Sequence, residues 1–328
     1  MAKSKFKYET TNVSIGSQYD LGVKHRSVVQ KGNVDTSYLY ALQLRDEQKT
    51  THVLCGTPGM GTNTPVLTLT GNAAGHTQTW EFSGKDDRWF VGTKPNSSGW
   101  AKQIARVDIT TMGGTHSSNT DFPRLAYLNR AGDQQDWCSG ADMKRVEIAL
   151  SPDHKQFLVA NAEVHGKAHF AIYRTDSINA ALNQVEAQRG FVNLGDIPCT
   201  SSFTIDKFVT TKYAPGLINS IQGYGIDNKG NIYVTSQKSP TINDAGKWVT
   251  HHKQIVKIPY NSRTSTNTWR SVNLSDWGGI DLSGKHSEVE SLQMIAEDHA
   301  YVTVAYHAKV NKSNKTVLNM IYELSWTW

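Results

Sequence analysis

The feature of this 328-residue chain that most restricts its fold is a pattern that recurs five times. The copies are Val29-Gln30-Lys31-Gly32-Asn33-Val34, Thr77-Gln78-Thr79-Trp80-Glu81-Phe82, Val146-Glu147-Ile148-Ala149-Leu150, Ile221-Gln222-Gly223-Tyr224-Gly225-Ile226 and Val289-Glu290-Ser291-Leu292-Gln293-Met294. In each, a β-branched residue precedes Gln or Glu and an apolar residue follows three or four positions later. A polar turn then leads to an aromatic-bearing strand, as in Tyr38-Leu39-Tyr40, Trp89-Phe90-Val91 or Ile232-Tyr233-Val234. Asp227-Asn228-Lys229-Gly230-Asn231 and Ser151-Pro152-Asp153-His154-Lys155 have the turn chemistry of hairpin loops, because Gly, Asn and Asp tolerate positive φ.

Third strands are expected at 103–107, 169–173, 254–258 and 319–324, and fourth strands at 66–70, 124–128, 203–209 and 269–274. Four short antiparallel strands repeated five times predict an all-β, five-bladed β-propeller spanning residues 1–328 as a single domain, because each small sheet can bury both faces only by stacking on its neighbours. A sandwich pair or a ring of six or seven blades is the competing architecture. The repeat positions are spaced by 48, 69, 75 and 68 residues, beyond the usual blade length of roughly 40–50, so the excess is assigned to loops at 110–119 and 239–250. The last copy has three strands before the chain ends, so an N-terminal strand within 6–15 is expected to complete the C-terminal blade and remove two sheet edges. Residues 177–190 read as a helix, with Ser177 as its N-cap candidate and Gly190 as its stop.

The net charge of +5 is spread along the chain, apart from the short run Lys3, Lys5, Lys7. A nucleic-acid footprint would be clustered, so no nucleic-acid partner is expected, whereas weak attraction to an anionic envelope is compatible with this charge. Cys55, Cys138 and Cys199 are odd in number and lack metal or redox spacing, so they read as buried inert thiols. No apolar run is long enough for a transmembrane helix, and residues 1–16 lack the apolar core of a signal peptide.

In a propeller the inner strands start at one mouth of the central channel. Gln30, Gln78, Glu147, Gln222 and Glu290 are therefore candidate ligand-binding residues at that mouth, with mutual hydrogen bonding across blades as the structural alternative. Trp100, Trp137, Trp248, Trp269 and Trp277 fall in polar or Gly-containing stretches. Trp248 and Trp277 are the candidates for an aromatic platform that stacks on sugar faces. No hydrolase, phosphate-loop or metalloprotease motif occurs, so no catalytic residue, metal ligand or cofactor is assigned. His251 and His252 read as surface residues. Glu288 and Glu290, with Glu147 from another blade, could serve a glycoside hydrolase only if one were held protonated.

The phrases Tyr38-Leu39-Tyr40-Ala41-Leu42-Gln43, Gly223-Tyr224-Gly225-Ile226-Asp227 and Ser287-Glu288-Val289-Glu290-Ser291-Leu292-Gln293 resemble the helveticin J family of large class III bacteriocins of lactobacilli, over almost the whole chain. That resemblance implies a heat-labile, secreted antibacterial protein acting on related Gram-positive cells, and it brings no catalytic residues. A bacterial cell-surface glycan or an anionic envelope polymer is the expected partner, and a non-lytic envelope binder the expected function. A lectin-like propeller without killing activity and a propeller glycoside hydrolase are the alternatives.

Overall fold

The computed structural model describes residues 6–328, so Lys3 and Lys5 lie outside the described residues. Five antiparallel sheets form a ring. Blade 1 comprises Val29–Val34, Leu39–Arg45, Thr50–Gly56 and Thr64–Leu69, and blade 2 comprises Trp80–Phe82, Arg88–Pro95, Ala101–Asp108 and Arg124–Ala126. Blade 3 is built from Met143–Leu150, Gln156–Glu163, Ala168–Arg174 and Ser201–Ile205. Blade 4 is built from Ile221–Ile226, Ile232–Ser236, Gln254–Ile258 and Arg270–Asn273. Blade 5 has His286–Ala296, His299–Val310 and Ser313–Trp326, and its fourth strand is Val13–Asp20. This last strand pairs antiparallel with the chain's final strand, from Val13 opposite Trp326 to Asp20 opposite Met320. The expected closure by the N-terminus is therefore present, by a strand that starts inside the 6–15 window and runs on past it to Asp20.

Residues 8–10 do something the repeat did not announce. Tyr8–Thr10 pairs in parallel with Arg270–Asn273, as a fifth strand on the outer edge of blade 4. Gly114–His116 likewise adds to the edge of blade 1, and Phe191–Asn193 to that of blade 2. Gly114–His116 and Phe191–Asn193 belong to segments that connect the third and fourth strands of one blade and reach back to the preceding blade; Tyr8–Thr10 makes the same reach from just before the fourth strand of blade 5. The other two connections make the same reach through polar contacts. In blade 1, the Thr62 amide donates to the Leu21 carbonyl at 2.7 Å; in blade 4, Arg263 donates to Ser201 Oγ at 2.6 Å. Part of the extra length of the repeat is thus spent covering outer edge strands that would otherwise offer unpaired backbone groups.

The alternating apolar residues of the strands bury between blades. Separate hydrophobic clusters fill the seams between blades 1 and 2 around Trp80 and Trp89, 2 and 3 around Phe90 and Phe157, 3 and 4 around Phe170 and Trp269, and 4 and 5 around Tyr233 and Tyr306. The seam between blades 5 and 1 has the smallest cluster: Leu21, Val29, Leu39, Ala41, Leu54 and Ile321. Hydrogen bonds stitch it instead. Asn319 accepts from the Val29 amide at 2.9 Å and donates to the Ser27 carbonyl at 3.1 Å, and Thr303 Oγ1 accepts from the Gly32 amide at 2.9 Å. Gly32 is glycine because the blades meet closely there: a Cβ would stand 2.7 Å from Ile321 Cδ1.

The expected helix is Thr175–Glu186, two residues earlier than read, and Arg174 at its N-cap gives no side-chain cap. Its face Ile178, Asn179 and Leu182 is buried against blades 2 and 3, where Arg106 donates to the Asn179 carbonyl at 3.1 Å. The 239–250 loop contains a small hairpin, Thr241–Ile242 with Trp248–Val249. Trp269 is fully buried and stacks on Phe6, so it belongs to the core rather than to a loop surface. Among the described residues no helix is long and apolar enough to cross a membrane.

Candidate functional site: the upper face and its closed channel

We call the face at which the inner strands begin the upper face. Inner-strand pairing is irregular there. The ladder skips Gln30 in blade 1, Gln222 in blade 4, and Glu290 with Ser291 in blade 5. A bulge leaves the extra residue unpaired and re-aims its side chain. In this way Gln30, Gln222 and Glu290 are turned to the axis, where they meet Gln78, which lies just before its strand, and Glu147, which pairs in register opposite Ala160. The Gln78 side-chain amide is the hub: its Nε2 donates to Gln30 Oε1 at 3.1 Å, Gln222 Oε1 at 3.4 Å and Glu290 Oε2 at 2.9 Å. The Gln78 backbone amide donates to Glu147 Oε2 at 3.0 Å, and Thr79 Oγ1 donates to the same oxygen at 2.7 Å. Gln30 is half-buried and the other four are buried.

Arg145, which the sequence reading missed, completes this knot. It lies two residues before Glu147, and the period of two within a strand places both on one face. Its Nη1 donates to the Ile221 carbonyl at 2.6 Å, its Nη2 to Gln78 Oε1, and its Nε lies 3.3 Å from Glu147 Oε1. The guanidinium also sits over the Trp100 ring at 4.7 Å, and Trp100 stacks on His76 at 3.8 Å. Burial, with Arg145 adding to it, pushes His76 down to about 3, so this imidazole is neutral. Burial, and then the charge of Glu288, raise Glu290 well above the usual carboxylate range. Glu288 itself is held by His307 Nε2 at 2.8 Å, by Ser239 Oγ and by Gln222 Nε2 at 3.2 Å. Glu147, Glu288 and Glu290 are all buried, and each has at least one oxygen held by a neighbouring side chain.

The open space on this face lies off the axis. Between blades 4 and 5 is a cavity of about 870 Å³ whose lining includes Lys238, His251, His252, Lys253, Lys285 and His286. Its floor connects to the axial knot through Gln237, whose carbonyl accepts from Gln222 Nε2 at 2.8 Å and whose Nε2 donates to the Ser287 carbonyl at 2.8 Å. Lys253 is buried, pairs with Asp281 and donates to Ser287 Oγ at 2.8 Å. Lys238 and Lys285 make no ion pair among the described residues, and His252 Nε2 is buried there without a partner. His251 is lowered by burial and then by Lys238; His286 is lowered by burial and then by His307, with Asp281 opposing. Asp281 is the one carboxylate of the lining, so the cleft carries excess positive charge. The two histidines expected on an undifferentiated surface are half-buried walls of this cleft.

The two tryptophans separate. Trp248 lies with its ring 4.2 Å from that of His286, at the rim of the cleft. Trp277 is half-buried against the cluster between blades 4 and 5. The three cysteines are each partly exposed rather than buried, and none forms a disulfide.

The fold and this face define a class: a five-bladed propeller whose channel is tied shut by side chains and whose accessible chemistry is a cationic cleft between two blades. The chain belongs to the bacteriocin helveticin-J family, which it matches over residues 9–327. It is 50% identical to bacteriocin helveticin-J of Lactobacillus helveticus, covering 97% of this chain and 98% of that one. Among solved structures, the tail fiber of Staphylococcus aureus phage P68 is similar in fold at 11% identity and a TM-score of 0.50. The match covers 96% of this chain, which spans about half (52%) of the fiber chain. The catalytic domain of the Coprinopsis cinerea GH62 α-L-arabinofuranosidase is matched at 9% identity and a TM-score of 0.42, over 93% of this chain and 91% of that one. At such identities the likeness is one of fold alone.

Proposed function

We propose that this chain is an extracellular bacteriocin that binds the envelope of related Gram-positive bacteria through the cleft between blades 4 and 5 and kills without dissolving the wall. The family supports the antibacterial part, since the Lactobacillus helveticus relative is a bacteriocin alike over nearly its full length. The observation that carries the binding part is the cleft, where Lys238 and Lys285 have no ion-pair partner among the described residues and lie beside the aromatic plane of Trp248. Cations without internal partners attract anionic groups at little rearrangement cost, and an indole at the rim suits the C–H face of a sugar. The ligand that fits both is an anionic, sugar-bearing envelope polymer. Non-lytic action agrees with the state of the carboxylates: hydrolysis needs an acid and a base open to substrate, whereas Glu147, Glu288 and Glu290 are buried and engaged.

The test is exposure of related Gram-positive cells to purified protein, with viability and turbidity followed together. Death with turbidity unchanged is the expected result. Clearing of the suspension would replace this reading with a hydrolase, and adherence without death would leave a lectin.

A further inference from the structure

On blade 3, away from the cleft, the hairpin of Gln156–Glu163 and Ala168–Arg174 places three metal-ligand types together. Asn161 pairs opposite His169, and Glu163 is two residues beyond Asn161, so all three side chains share one face of the sheet. The loop before the blade's inner strand lays Cys138 over that face, with Asn161 Nδ2 3.2 Å from its Sγ. The donor atoms of Cys138, Glu163 and His169 all lie within 4.8 Å of one another.

Two details point to a cation among them. His169 Nδ1 faces the Asp136 carbonyl at 2.5 Å and must donate to it, because a carbonyl only accepts. In the neutral imidazole, Nε2 therefore carries a lone pair, yet it faces Glu163 Oε1 at 2.6 Å. Two acceptors so close need a positive centre between them: a proton fits that distance as it stands, and a metal ion takes its place once the two atoms move apart. The second detail is Asn161, only 1% exposed, whose Oδ1 is buried without a hydrogen-bond partner. Rotation of this amide by half a turn would present that oxygen to the site from the position Nδ2 occupies beside Sγ.

We propose that Cys138, Glu163 and His169 form a binding site for one divalent cation of the zinc class, with Asn161 Oδ1 or a water as the fourth donor. A thiolate, an imidazole and a carboxylate are the ligands such ions select, and a histidine whose second nitrogen bonds a carbonyl is the usual supporting arrangement. Tetrahedral bonds of about 2.0–2.3 Å set donors roughly 3.3–3.7 Å apart, so Glu163 and His169 separate slightly as the ion enters and Cys138 closes in. The Cys138 thiol, which burial pushes up to about 11 in the metal-free chain, releases its proton to solvent on binding. The ion then ties the 131–142 loop to the blade. This site is independent of the envelope-binding reading.

Cobalt(II), titrated into the reduced full chain, reads the site directly. One equivalent should give the visible bands of a four-coordinate ion and a near-ultraviolet sulfur-to-cobalt band, and zinc should abolish both. Cys138→Ser should lose the sulfur band, His169→Gln should weaken binding at least tenfold, and Cys199→Ser should behave as the parent. Zinc should also raise the melting temperature of the parent and not of Cys138→Ser. The absence of saturable binding to the parent below about 1 mM, or a sulfur band that persists in Cys138→Ser, overturns the proposal.

Discussion

Gln78 holds five neighbours with one side chain and one backbone amide, so its loss concentrates several costs at one point. Gln78→Ala leaves Arg145 and Glu290 short of partners in a buried place and should destabilise the fold by about 3 kcal/mol, read from urea midpoints. Glu290→Gln should act in the opposite direction. A carboxylate whose folded pKa is raised binds its proton more tightly in the folded than in the unfolded chain. Its penalty is therefore absent at acid pH and grows as pH climbs past the unfolded value, near 4.3. The variant keeps an oxygen for Gln78 and removes that penalty, so it should be more stable than the parent at pH 7, by about 1–2 kcal/mol, and nearly equal to it at pH 4. Equal stabilities at pH 7 would show that Glu290 ionises freely. The recurring Gln/Glu was legible in the sequence because it repeats. Arg145 was not, because it occurs in one blade only, although its spacing of two from Glu147 was there to be read. Trp248 and Trp277 look alike as sequence, and their neighbours part them: Trp277→Ala should lower stability, while Trp248→Ala should leave melting unchanged and weaken envelope binding by about 1–3 kcal/mol.

Strand order within each blade was written in hairpin turns and alternating apolar residues, and these are local signals. The back-reaching segments were not legible, because Tyr8–Thr10, Gly114–His116 and Phe191–Asn193 are three residues each and pair with strands far away in sequence. Their logic is edge protection, which appears only once the blades stand side by side. The same logic explains why the closing strand lies at Val13–Asp20: the residues before it are needed for the edge of blade 4. Deleting residues 1–16 therefore strips that edge and half of the closing ladder together, and should abolish soluble folded protein. Asn319→Ala is the milder probe. It removes two hydrogen bonds across the seam with the smallest apolar cluster and should cost about 2 kcal/mol. Hydrogen exchange should rise first in Val13–Asp20 and Val29–Val34. Uniform loss of protection over all five blades would show that the ring opens elsewhere.

Across the whole molecule the charge excess is modest, but its placement on the upper face is uneven. The blade 5 hairpin carries Lys309, Lys312 and Lys315 to the same end as Lys238 and Lys285, and Lys309 also bonds the Gly246 carbonyl of the neighbouring hairpin. An anionic polymer approaching this side meets a positive field before it reaches the cleft. Raising salt should weaken binding only in part, since screening leaves the stacking on Trp248 intact. Lowering pH should strengthen it. His251 and His286, held below the ordinary histidine value by burial, are neutral at pH 7 and gain charge only at a pH below that at which a free histidine would, joining Lys238, Lys253 and Lys285 against the single carboxylate of Asp281. The most direct test of the central claim is co-sedimentation with isolated walls of a related Gram-positive bacterium, comparing the parent with a Lys238→Glu/Lys285→Glu double variant of unchanged melting temperature. Binding by the parent, reduced at least tenfold in the double variant, is the predicted result. Equal binding by the two proteins would contradict the assignment of envelope recognition to the cleft between blades 4 and 5.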